Sequence, residues 1–287
     1  MPDLPWLYLA VAILACAAVV CHGIVRRSHG KRQASLFIHA ADAGSAPEHD
    51  AAHARALLAG LIPAVQTRSA VDSLDTGLPR SRVSALLAEQ WGVRTPGDLR
   101  ATLAWLLHQG DRSAYRQVVH IATTLPPEQW LTAICDLGED YDHQQLYRWA
   151  TNLVQSLPTL RRAGFVRSPA DLERDIAAWD MARAIQLARL GHDAALAATG
   201  AAWIAIHTAA AQMYDRHASW RDAAAGYLLG QAMHAGAGPV LEQACEAVRA
   251  CLNHGTSPWR QHPFVAVRPR KAPGGHLFDR AAHPPAA

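Results

Sequence analysis

Lysine is almost missing from these 287 residues: only Lys31 and Lys271 carry it, and charged residues together make up 18%. Hydrophobic residues make up 50%, which is too apolar for a disordered chain, so a packed core is expected. Cysteine is scarce as well. Five scattered thiols exclude a small disulfide-stapled secreted scaffold. From 56 to 255 the chain carries 17 arginines against 19 aspartates and glutamates, a net charge of −2. The overall +3 therefore comes from the two ends: Arg26, Arg27, Lys31 and Arg32 at the start, and Arg260, Arg268, Arg270, Lys271 and Arg280 at the finish. A nucleic-acid-binding domain would carry its basic face on the folded part together with a reading motif, and this body has neither.

The familiar catalytic signatures are also missing. There is no glycine-rich phosphate loop with Lys and Ser/Thr, no His-Glu-x-x-His helix and no Gly-x-Ser-x-Gly elbow, which leaves P-loop nucleotide enzymes and the common hydrolases without support. Cys135, Cys245 and Cys251 have neither finger spacing nor a redox pair, and they read as buried thiols. His49 and His53 are four apart beside Glu48 and Asp50, the best metal-like pair. They lie at an exposed edge without further ligands and read as solvated polar residues. His192-Asp193 and the cluster Glu139-Asp140-Asp142-His143 read as helix caps and loop polars in preference to acid/base groups. No catalytic residue, metal ligand or cofactor is assigned, and the reading leans away from an enzyme.

One long hydrophobic run stands at the start. Residues 4–25 carry no charge if His22 is neutral, and as a helix they would span about 33 Å, enough for a hydrocarbon core of roughly 30 Å. Trp6 and Tyr8 sit at one end and the basic cluster from Arg26 follows the other. The positive-inside rule then places the N-terminus outside and the main domain in the cytoplasm, in a single-pass arrangement. A cleaved signal peptide would need a basic start, whereas Asp3 is the only charge there. Cys16 and Cys21 read as small apolar fillers, not lipidation sites.

The organisation that follows is a transmembrane anchor over 1–27, a juxtamembrane linker over 28–50, an all-helical domain over 51–262 and a flexible tail over 263–287. The expected fold class is all-α: apolar residues recur at three and four positions, with no strand-type alternation. Thr95-Pro96-Gly97-Asp98 and Ser168-Pro169-Ala170-Asp171 each give a hydroxyl cap, a proline and a carboxylate, and Ser219-Trp220-Arg221-Asp222 repeats the cap. Further helices are predicted near 51–62, 81–91, 112–124, 127–136, 142–156, 199–215 and 238–253, with breaks at Pro126-Pro127, Pro158 and Gly236 to Pro239. The tryptophans between Trp91 and Trp220 mostly occupy apolar helical positions, where large rings pack helices together.

A helix over 169–190 puts Ile176, Trp179, Arg183, Gln186, Leu187 and Leu190 on one arc, so Arg183 shares the apolar stripe. A guanidinium there needs a partner: Asp180, three residues earlier, or a carboxylate from a neighbouring helix. Two readings stay open, a buried ion pair that fixes helix register and an anion site in an inter-helix pocket around Asp180, Arg183 and Tyr227, with Arg189 and Trp220 as further candidates.

Trp91-Gly92-Val93, Leu103, Trp105-Leu106, Gly110, Arg112 and Tyr115 resemble the first half of the bacterial YbeU-like domain-of-unknown-function family. Trp179-Asp180-Met181-Ala182-Arg183, Leu187, Arg189-Leu190-Gly191, Ala202-Trp203, Ser219-Trp220, Gly226 to Gly230 and Ser257-Pro258-Trp259 are similar to its second half, in the same order. The resemblance covers roughly 85–260. It implies an intracellular helical domain, in a bacterial inner-membrane protein given the anchor, and it transfers no catalytic residue. Gln231, His234 and Ala194-Ala195 depart from the family pattern, which has an arginine, a tryptophan, and a glycine with an aromatic there. The function expected from all this is a membrane-anchored cytoplasmic module that binds a protein partner or regulates one. The alternative is an enzyme or small-ligand sensor built on the Asp180, Arg183 and Tyr227 pocket; nucleic acid is not an expected partner.

Overall fold

The computed structural model describes residues 37–138 and 141–264. The run 4–25, the basic cluster after it and the tail beyond 264 lie outside the described residues. Among the described residues no helix is long and apolar enough to cross a membrane. They are all-helical and contain no strand, only one isolated parallel bridge between Ile38 and Ala70.

Local chemistry sets most of the boundaries. The helices α1 (Ala51–Leu58), α2 (Leu61–Thr67) and α3 (Arg80–Ala85) come first, α3 running into a π-helical turn over Leu86–Gln90. Asp50 caps α1 by accepting from Ala52 N and His53 N. Next is α4 (Pro96–His108), whose start is the full reciprocal box between Thr95 and Asp98. Helices α5 (Arg112–Thr124) and α6 (Trp130–Cys135) follow, α6 preceded by a 3-10 turn over Pro127–Gln129. Asp142 caps α7 (His143–Ala163), which ends at Gly164 in the left-handed region. The remaining helices are α8 (Ala177–Asp193), α9 (Thr199–Arg216), α10 (Trp220–Ala235), α11 (Pro239–Asn253) and α12 (Pro258–Gln261).

Three sequence expectations fail here for identifiable reasons. Pro158 does not end its helix: α7 runs to Ala163, because Leu153, Ser156 and Leu160 anchor it in the core on both sides of the one lost backbone bond. The expected helix over 169–190 is broken. The Ser168–Asp171 box starts only a 3-10 turn over Pro169–Glu173, Arg174 is extended, and Asp175 turns its carboxylate onto Ala177 N at 2.7 Å to start α8 afresh. The break seats the chain against α10, where a Cβ on Gly226 would stand 2.5 Å from the Asp175 carbonyl oxygen. Cys135, expected to be buried, is exposed in the last turn of the short α6, whereas Cys245 and Cys251 are buried free thiols.

The core is organised around α8, which packs against α4, α9 and α10 and also touches α2. Nearly every residue from Ala177 to Gly191 is buried, so this helix has no solvated face; its partners supply the amphipathic surfaces. One contiguous apolar cluster runs from Phe37 to Trp259, so the segments 51–165 and 166–260 share a single core. The packed body begins before residue 51, since Phe37 and Ala40 are buried and Asp72 accepts from Ala40 N at 2.7 Å. Trp130, Trp149, Trp179, Trp203, Trp220 and Trp259 are buried, and Trp91 and Trp105 are partly buried against the same core.

Candidate functional site

Arg183 of α8 meets both kinds of partner that its place on the apolar stripe demands. Its Nη2 donates to Asp180 Oδ1 at 2.7 Å within the helix and to Asp111 Oδ2 at 2.7 Å from the turn before α5. Its Nε reaches the Trp179 carbonyl at 3.3 Å, and the guanidinium lies 4.1 Å from the Trp179 ring centroid and 5.5 Å from that of Trp91. Asp180 is fully buried and saturated. It accepts from Asp111 N at 3.1 Å, Arg112 N at 3.1 Å, Arg112 Nη1 at 3.0 Å and Arg183. Arg112 also donates to the carbonyls of Leu106 at 2.6 Å and Leu107 at 2.8 Å, which closes the C-terminal end of α4.

The turn Gly110-Asp111-Arg112 is shaped by its glycine. Gly110 has φ +62, and a Cβ there would lie 2.1 Å from Asp180 Oδ2, so only glycine lets two backbone N–H groups approach the carboxylate. On the opposite side Gly230 of α10 lies flat on Trp179, where a Cβ would stand 2.3 Å from Cγ. Trp179 is thereby held to donate its indole N–H to Asp111 Oδ2 at 2.8 Å. His234, which is half-exposed, points its Nδ1 at the same oxygen from 3.6 Å.

Two carboxylates and two guanidiniums make this network neutral as a whole, which is how a buried charge cluster is tolerated. Burial raises the Asp180 carboxyl and the neighbouring charge of Asp111 raises it further, against the opposing pull of Arg183 and Arg112. Asp111 is also penalised by burial, but Arg183, His234 and the Trp179 indole together hold it well below the usual carboxylate range. Such a cluster locks α4, α5, α8 and α10 together. Its polar atoms face one another, leaving the edge at His234 and Trp91 as the part nearest solvent.

The other candidates are placed apart from this network or sealed. Tyr227 is buried: its hydroxyl donates to Gln66 Oε1 at 2.5 Å, its ring meets Trp179 edge-on at 5.1 Å, and burial pushes its phenol far up. Among the described residues Arg189 has no carboxylate partner. It fastens the 70–75 loop through the carbonyls of Ala70 at 2.6 Å, Leu74 at 3.2 Å and Asp75 at 3.1 Å, and burial pushes its guanidinium down to about 10. Trp220 stacks on Trp259 at 4.6 Å and donates to the His262 carbonyl at 2.9 Å, while Trp259 donates to the Leu58 carbonyl at 2.8 Å. These two rings tie the end of the body to its beginning. His53 stacks on Trp203 at 3.8 Å, and among the described residues no group of three or more His, Cys, Asp or Glu is placed to hold a metal. His192 faces Asp75 at 3.4 Å, and Asp193 accepts from Thr76 N at 3.1 Å and from the Thr76 hydroxyl. Asp142 and His143 act at the start of α7, His143 Nε2 lying 2.8 Å from the Gly138 carbonyl; Glu139 and Asp140 lie outside the described residues.

Asp111, Arg112 and His234 belong to the network but are not among the candidates that the sequence singles out. Asp111 had a visible signal, an acidic residue between the glycine and the arginine of one turn. His234 sits one helix away and had none.

On the surface, α6 and α7 leave an apolar groove of about 570 Å³ between them, lined by Pro127, Leu131, His143 and Tyr147 among others. Leu131 is 61% exposed and Tyr147 43% exposed, and Val154, two turns along α7 on the same face as Tyr147, is exposed too.

A family model described as "Protein of unknown function (DUF1266)" matches residues 86–264. No curated protein and no solved structure matches.

Proposed function

This chain belongs to the DUF1266 family, proteins of unknown function, and from that premise we propose that it is a helical module that docks an amphipathic helix of a partner protein while tethered to a membrane. The observation that carries the reading is the groove between α6 and α7. Large apolar side chains standing together in solvent mark an interaction surface, and Leu131 and Tyr147 share this groove, whereas Ile204 and Val240 are exposed outside it. A groove between two helices, with Leu131 on one wall, Tyr147 on the other and Val154 exposed further along the same face of α7, suits a helix presenting apolar residues three and four apart. The closed ion network points the same way, because Asp180, Arg183 and Tyr227 spend their polar atoms on one another and on the body. That favours their role in fixing register over the alternative of a ligand pocket.

The finer placement belongs to the same reading: a YbeU-like bacterial member of the family, in the inner membrane, with 4–25 as a single span and the body on the cytoplasmic side. The uncharged run and the arginines that follow it support this. The test is mild crosslinking of the tagged full-length protein in native membranes, with Leu131→Glu and an anchor-deleted form beside it. A stoichiometric partner that is lost in both variants is the expected result. Recovery of the protein with only a second copy of itself would replace the partner reading by self-association, and recovery alone would end it.

A further inference from the structure

A second feature lies away from both the ion network and the groove. Where the chain breaks between the 3-10 turn and α8, a polar cleft of about 220 Å³ opens, lined by Arg167, Arg174 and Arg221 together with Asp171, Ser219 and Asp222. Arg174 is its fixed element. One amino group bonds Asp171 at 2.8 Å, the other Asp222 at 2.7 Å, and its Nε is buried with no partner. The two carboxylates are already fully engaged. Asp171 also accepts from Arg167 N at 2.8 Å and Ser168 N at 2.9 Å, and Asp222 from Ala218 N and the His217 ring, both at 3.2 Å. Against Arg174 alone the two carboxylates leave one negative charge, and Arg167 and Arg221 bring the lining to a net +1.

Arg167 and Arg221 are different. Both are exposed; the Arg167 side chain has no partner among the described residues, and Arg221 makes one bond to the Gly164 carbonyl at 3.2 Å beside the Phe165 ring. Two guanidiniums without carboxylates therefore face a cleft whose third is pre-oriented. The start of α10, a 16-residue helix capped by Ser219 and carrying Asp222 in its first turn, borders the cleft at the same place.

We propose that this cleft binds a phosphate-monoester group, clamped by Arg167 and Arg221 against the α10 N-terminus with Arg174 as the rigid floor. Two exposed planar forks converging on a small polar cleft, beside a third guanidinium that two carboxylates hold in place, fit a tetrahedral dianion better than a single carboxylate. The group would come either from a soluble phosphate ester or from an anionic lipid headgroup.

The experiment uses the full chain in neutral phosphatidylcholine nanodiscs, titrated calorimetrically with inorganic phosphate and with glycerol 3-phosphate. Saturable binding is expected, weakening as salt is raised. The double variant Arg167→Gln/Arg221→Gln is expected to bind about tenfold or more weakly with an unchanged melting temperature, since both side chains are exposed. Repeating the titration in discs containing phosphatidic acid separates the sources: a weakened apparent affinity identifies the lipid headgroup, and an unchanged one the soluble ester. No saturable heat with either probe overturns the site, as does equal binding by a folded double variant. If that variant loses stability, Arg221→Lys alone, which keeps the charge but not the fork, must still weaken binding.

Discussion

Asp180→Asn changes one buried acceptor oxygen for an N–H donor and leaves the volume nearly unaltered, so its effect reads the loss of the charge together with the two bonds which that oxygen accepts. In the native protein Asp180 answers Arg112 at 3.0 Å and Arg183 at 2.7 Å, and Asp111 supplies the second negative charge. The variant leaves two guanidiniums, each only about a tenth exposed, facing one carboxylate. Removing one partner of a buried pair costs about 3–5 kcal/mol, a large part of the roughly 5–15 kcal/mol that holds a protein folded. Urea unfolding followed by tryptophan fluorescence suits the measurement, because Trp179 lies within the network. The double variant Asp180→Asn/Arg183→Gln restores neutrality. It is expected to cost less than the sum of the two single changes, with a coupling of about 1.5–3 kcal/mol. A loss below about 1 kcal/mol for Asp180→Asn, or strict additivity in the cycle, would refute the claim that the network is a closed neutral cluster.

Two further outcomes follow from single positions. Ala195 sits at φ 56, in the left-handed region after α8, so Ala195→Gly is expected to raise stability by about 0.5–1 kcal/mol, read as an increase in urea midpoint at constant slope. His217 is buried and held neutral, its Nε2 accepting from Ala178 N and its Nδ1 facing Asp222, and burial keeps its pKa below its ordinary 6.5. The unfolded chain therefore binds the extra proton first, and stability is lost as pH falls below 6.5, down to the lowered folded value. Below 3.8 the loss continues as Asp222, which is held under that value, is forced to accept a proton. Melting temperature should fall from pH 7 to pH 5, and His217→Gln should flatten that slope.

How much of this was legible in the sequence depends on whether a residue's partner was local. The caps at Thr95 and Ser219 could be read from spacing, because each hydroxyl and the backbone N–H that it accepts from lie within one turn. That Arg183 needed a carboxylate was also legible, from the apolar stripe alone. Asp180 was legible as one partner from its spacing, and the second partner was not: Asp111 is 72 residues away in sequence and reaches Arg183 only through the turn that Gly110 permits. The break at Arg174 to Ile176 was hidden for the same reason. Its cause is the approach of Gly226 and the bond from Ala178 N to His217, both on elements that follow. Pro158 misled because local propensity points to a break there while tertiary anchoring at Leu153 and Leu160 overrides it. Arg189 and Trp220, grouped in the sequence with Arg183 as candidates for one pocket or ion pair, fasten two other parts of the body and do not join it.

The central claim is that the groove between α6 and α7 is the working surface, and the most direct measurement is photocrosslinking in intact membranes. A photoreactive residue is placed at Leu131 in one form of the full-length protein and at Ile204 in another, the latter being an equally exposed apolar position on α9. A discrete partner adduct from position 131 and none from position 204 is the expected result. Equal adducts from both positions, or none from 131, would contradict the account.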